Sequence, residues 1–85
     1  MVNSLFYAKS VKKDIKKIEA KDLKKIKEEI ENLILFPDVK NIKKLTNHPV
    51  ADFRLKVGKY RVLFDIDKKS EIINILKIGH RKEIY

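Results

Sequence analysis

Arg54, Lys56 and Arg61 stand close together on either side of Gly58 and Lys59. A second polar group, His80, Arg81, Lys82 and Tyr85, lies in the final stretch, residues 78–85. Side chains of these types suit chemistry at a phosphodiester. Cleavage of RNA by its own 2′-hydroxyl needs a base for that hydroxyl, positive charge for the crowded phosphate and an acid for the departing 5′-oxygen. Arginine holds phosphate through a planar fork of donors. Tyrosine stacks on a base, and its phenol can carry a proton where neighbouring cations lower its pKa. His48 and His80 offer another acid–base pair, but His48 sits before Pro49 in a connecting stretch. His80 reads either as a stacking or positioning residue or as a plainly exposed one.

Composition narrows the partner. Twenty-one Lys and Arg against twelve Asp and Glu give a net charge of +9 over 85 residues. Such an excess points to a polyanion: RNA, DNA or an acidic protein segment. Most single lysines on a helix only solvate its outer face. The arginines say more, because Arg54, Arg61 and Arg81 all fall in the last third of the sequence. With no cysteine, disulfides, thiolate metal sites and thiol nucleophiles are excluded. There is no GxGxxG, no P-loop and no cluster of zinc ligands. Residues 1–10 lack the pattern of a signal peptide, and the apolar run 33–36 is far too short to span a bilayer. A single soluble cytoplasmic domain over residues 1–85, without a membrane partner, is the expectation.

The elements that must position these residues follow from periodicity. Residues 2–8 suit a first strand. Ser10 is the expected N-cap of a helix carrying Val11, Ile15 and Ile18 on one face. The pattern restarts near Ala20, with Leu23, Ile26, Ile30, Leu33 and Ile34 on one stripe, and Pro37 ends it. Residues 38–52 read as a connection, with a possible short element at 41–45. The period then changes to 2. Residues 53–57 and 60–66 form two strands joined by a turn at Gly58 and Lys59, and residues 72–78 form a third after a polar loop. The fold class is α+β: an N-terminal strand, two helices, then a three-stranded antiparallel meander with both helices packed on one face of a small sheet.

The turn sets a register. Val57 faces Tyr60 and Lys56 faces Arg61, so Arg54, Lys56 and Arg61 share the side opposite Phe53, Leu55, Tyr60, Val62 and Phe64. Like charges directly opposite one another destabilise an antiparallel pair. On this reading Arg61→Thr should gain stability, and the bare cationic face should meet an anion.

The hairpin 53–64 (FRLKVGKYRVLF) together with the tail 78–85 (IGHRKEIY) resembles the RelE/ParE toxin superfamily, and the order of the N-terminal elements agrees. The resemblance covers essentially the whole chain. It implies a toxin of a type II toxin-antitoxin system that cuts mRNA in the ribosomal A site, inhibiting translation, without metal or other cofactor. The products would be a 2′,3′-cyclic phosphate and a 5′-hydroxyl. It implies as partners the ribosome, mRNA and a cognate RelB-like antitoxin. By the same resemblance Arg61 would stabilise the transition state, and Arg81 would bind phosphate or act as general acid. Tyr85 would stack on the base or move a proton. Arg54, Lys56, His80 and Lys82 would bind RNA. The spacing from Arg81 to Tyr85 is shorter than in the best-known member, and no C-terminal helix is expected. Two other readings fit the same fold: a ParE-like toxin that binds gyrase, and a member without catalytic activity.

Overall fold

The computed structural model describes residues 4–36 and 38–84. Strand β1 (Ser4–Tyr7) leads into helices α1 (Lys9–Ile15) and α2 (Ala20–Glu31), and a 3-10 turn at Asn32–Leu35 follows. Strands β2 (Ile42–Lys44), β3 (Phe53–Val57), β4 (Tyr60–Asp67) and β5 (Ile72–His80) come next, and one helical turn, α3 (Arg81–Ile84), follows β5. The expected meander is present as β3, β4 and β5. It is the centre of a larger, mixed sheet of five strands in the order β1-β5-β4-β3-β2. β1 joins one edge parallel to β5, and β2 joins the other antiparallel to β3.

Both long helices cover one face, as their stripes require. Val11 of α1, Ile26 and Ile30 of α2, and Leu33 bury against Leu55, Val57, Val62, Phe64, Ile73, Ile75 and Ile78 of the sheet. Phe64 stacks on Phe53 with centroids 5.4 Å apart. Ile34 departs from the expected stripe. The α-helix gives way to the tighter 3-10 turn after Glu31, and that change of pitch turns Ile34 outward, leaving it 46% exposed. The expected stop at Pro37 lies outside the described residues, as do Val2 and Asn3 of the expected first strand.

The opposite face is not bare. Ala51, Leu63 and Ile84 form a second, smaller apolar cluster there, with Leu45 and Leu76 packed beside it. The tail therefore does form a helical turn, and its one buried side chain, Ile84, holds it down.

Ser10 does not cap α1. The helix begins at Lys9 behind Ala8, and Ser10 Oγ donates instead to the carbonyl of Leu76 at 2.8 Å. Asp14, one turn on, accepts from the backbone N–H of Ile78 at 3.0 Å and sits 3.9 Å from Lys77 Nζ. These two bonds straddle a bulge, where pairing shifts from Leu63 opposite Lys77 to Phe64 opposite Ile75. A bulge locally disrupts the ladder, and α1 lends polar side chains to the backbone there.

Asp14→Ala should therefore cost about 1–3 kcal/mol, the penalty for stranding a partly buried donor. Asp14→Asn, which keeps an acceptor oxygen, should cost less than half as much. Urea unfolding of the two variants measures this, and equal losses would rule out the role given to the Ile78 bond.

Candidate phosphate-binding face

The β3–β4 turn forms at Gly58, whose φ of +57° lies in the left-handed region that favours glycine. Pairing across it is as expected: Val57 opposite Tyr60, Lys56 opposite Arg61, Leu55 opposite Val62. Arg54, Lys56 and Arg61 consequently lie on the face away from α1 and α2. Lys56 is exposed, Arg54 half-buried, and Arg61 only 7% exposed.

Arg61 is held by backbone. Its Nη1 donates to the carbonyls of Gly58 at 2.9 Å and Tyr60 at 2.8 Å, curling the guanidinium back onto the turn. Its Nε is buried with no hydrogen-bond partner among the described residues. Gly79 is the residue opposite Arg61 on β5. A Cβ at Gly79 would come within 3.2 Å of Ile84 Cγ1, so glycine here lets α3 lie close on the sheet. The backbone N–H of Arg81 donates to the carbonyl of Lys59 at 2.8 Å. One turn thus anchors both Arg61 and the start of the tail, with the Arg81 side chain exposed beside it.

The expected bare, mutually repelling face is corrected in two respects. Leu63, next to Arg61 on that face, is covered by Ile84. Lys56 is exposed to solvent while Arg61 is bonded to carbonyl oxygens, so screening and hydrogen bonding both reduce the repulsion. With these bonds in place, Arg61→Thr is expected to lose stability rather than gain it.

His80 is separated from the hairpin cations. It pairs with Tyr60, on the helix-covered side, with ring centroids 5.9 Å apart in an edge-to-face contact. Both line a cleft of about 240 Å³ bordered by Asp14, Lys17, Lys77 and Glu83. His80 Nδ1 accepts from the N–H of Lys82 at 3.2 Å, so a neutral ring carries its proton on Nε2. Lys82 is exposed on α3, and Tyr85 lies outside the described residues. His48 has a local role, its Nδ1 accepting from Val50 N at 3.1 Å. The phenol of Tyr60 is pushed above its usual 10.0 by burial first, then by the charges of Asp22 and Glu19, a hydrogen bond to Asp22 and the charge of Glu83.

Sequence periodicity missed two members of the cationic face. Lys43 of β2 pairs directly with Arg54 and so shares its side. Ile84, a lone apolar residue in a polar tail, is the anchor that positions Arg81. Among the described residues no group of three His, Asp or Glu side chains could hold a metal ion, and no helix is long and apolar enough to cross a membrane.

Residues 5–85 match the family model described as ParE toxin of type II toxin-antitoxin system, parDE. This chain is a toxin of the RelE/ParE superfamily. It is 38% identical over 80 residues to the putative toxin RelE1 of Methanocaldococcus jannaschii, covering 91% of this chain and 88% of that protein. The RelE-RelB complex of Pyrococcus horikoshii contains a similar chain, with TM-score 0.77, 25% identity and coverage of 95% and 97%. The RelB-RelE complex of Methanococcus jannaschii contains another, with TM-score 0.73, 28% identity and 94% of each chain covered. The RelBE2 complex of Mycobacterium tuberculosis, at 23% identity, has a TM-score of 0.80 and shares the fold.

Two measurements check this geometry. Arg61→Thr should lower stability by about 1–3 kcal/mol, through loss of charge-assisted bonds to Gly58 and Tyr60; a gain in denaturant melts would restore the repulsive face. Because the folded Tyr60 pKa is raised, the stability it contributes is present below the unfolded value near 10 and fades as pH climbs through the folded one. Phenolate absorbance should show Tyr60 titrating late, and Asp22→Asn should bring it part of the way back. No change in that variant would remove Asp22 as a cause.

Proposed function

We propose that this toxin cuts mRNA in the ribosomal A site and is neutralised by a RelB-like antitoxin. The observation that carries the reading is the fastening of Arg61 and Arg81 to consecutive carbonyls of one turn, on a sheet face that also presents Arg54 and Lys56. The relative named RelE1 and the RelE–RelB neighbours support it.

In the proposed reaction the 2′-oxygen of one nucleotide forms a bond to the adjacent phosphorus as the bond from phosphorus to the 5′-oxygen breaks. The 2′-proton leaves to a base and a proton reaches the departing oxygen, giving a 2′,3′-cyclic phosphate and a 5′-hydroxyl. Arg61, already oriented by backbone, supplies fixed positive charge to the crowded phosphate at little reorganisation cost. Arg81 binds phosphate through its planar fork of donors. Tyr85 stacks on the base or carries a proton. Arg54, Lys56 and Lys82 bind RNA, and His80 orients α3 through the Lys82 N–H.

The antitoxin in this reading is an acidic amphipathic segment that folds on the basic surface. A second reading, gyrase inhibition, draws on the ParE description of the matched family.

Mapping mRNA cut sites in translating ribosomes, with gyrase supercoiling assayed in parallel, separates the two. Arg81→Ala should reduce cleavage by about 100-fold while the fold is retained, and co-expressed antitoxin should abolish toxicity. Gyrase inhibition without mRNA cutting would overturn the nuclease reading in favour of the second.

A further inference from the structure

The cationic face extends one strand beyond the hairpin. β2 is short, yet its position is fixed at both ends: the N–H of Lys56 donates to the carbonyl of Asn41 at 2.9 Å and the N–H of Leu45 to that of Asp52 at 2.7 Å. Between these bonds Lys43 lies directly opposite Arg54, exposed. Lys43 makes no ion pair among the described residues. Two neighbouring register pairs, Lys43 with Arg54 and Lys56 with Arg61, therefore set cation opposite cation on the same face. Cation thus stands opposite cation in two adjoining rows of one face, which concentrates positive charge there.

The charge stops abruptly on the far side. One pair beyond Arg54, Asp52 and Asp65 take over, the N–H of Asp52 donating to Asp65 Oδ1. The positive track thus runs diagonally from Arg61 through Lys56 and Arg54 to Lys43. With strands about 4.8 Å apart and a rise of about 3.3 Å per residue, its length is about 12 Å. A stacked nucleic-acid strand advances about 3.4 Å per nucleotide, so the track spans several phosphates rather than one.

We propose that Lys43 is an RNA-binding residue, holding a backbone phosphate of the single-stranded substrate about three nucleotides along from the one bound by Arg61. The inference rests on the nuclease reading and assigns the path the strand takes across the toxin: over the β3–β2 edge, away from α3.

The test is binding of a fluorescent 12-nucleotide single-stranded RNA to the full chain, read by anisotropy across a salt series. Lys43→Ala should weaken binding by about 3–10-fold at low salt. It should also flatten the log–log salt slope by about 0.7, the contribution of one phosphate contact to a single strand. Lys43→Arg should restore both, whereas Lys24→Ala, which removes an exposed charge from α2, should change neither. In translating ribosomes Lys43→Ala should raise KM for mRNA cleavage more than it lowers kcat. Equal effects of Lys43→Ala and Lys24→Ala would overturn the proposal, reducing Lys43 to one part of a general charge. Failure of the wild type to bind the RNA or cut mRNA would instead sink the nuclease reading beneath it.

Discussion

The carbonyls of Gly58, Lys59 and Tyr60 each accept a hydrogen bond that crosses the plan of the hairpin. Gly58 and Tyr60 take the Arg61 guanidinium, and Lys59 takes the N–H that opens α3. The carbonyls of the two turn residues, Gly58 and Lys59, lie outside the strands, and glycine at φ +57° is what makes so tight a turn attainable. The turn therefore does more than join two strands. It converts leftover acceptors into a mount for two arginines that arrive from different parts of the chain.

That mount works only because each face of the sheet has its own apolar anchor. On the helix side Val11, Ile26, Ile30 and Leu33 bury against the sheet. On the other, Ile84 closes over Leu63 and Ala51, and Gly79 lets it approach. Without Ile84 the bonds from Arg81 N to Lys59 O and from Lys82 N to His80 Nδ1 would have to order the tail against its conformational entropy, roughly 1–2 kcal/mol for each residue fixed. Two hydrogen bonds, worth about 1 kcal/mol net each, do not suffice. The small second core is thus the reason a cationic tail can hold a defined position at all.

Much of this was legible in the residues. The change of period from 3.6 to 2 located β3, β4 and β5, and the turn at Gly58-Lys59 set the register of β3 against β4 as observed. The stripe of α2 located the principal core. What the pattern missed was non-local. The expected first strand and short element at 41–45 are present as β1 and β2, of four and three residues, but their places in the sheet depend on edges offered by distant strands. Lys43 entered the cationic face only through such pairing. The burial of Arg61 was missed because its partners are backbone carbonyls, which carry no side-chain signature. Ser10 fitted an N-cap by type, but the unpaired carbonyl at the Leu76 bulge competed for its hydroxyl.

Arg61 and Lys43 mark two ways in which a fold can carry like charge. Arg61 is buried, so its charge is tolerated only through bonds that also hold the turn; altering it disturbs structure and electrostatics together. Lys43 is exposed on an edge, where solvent screens it and removing it leaves no stranded partner. Under the proposed nuclease reading the track would run from a rigid end, suited to charge developing at one phosphorus, to a compliant end, suited to holding the strand. Rigid, prearranged charge is what lowers a barrier, and mobile surface charge contributes mainly salt-sensitive affinity. The sheet separates these duties by depth, from the turn at its centre to the short strand at its edge.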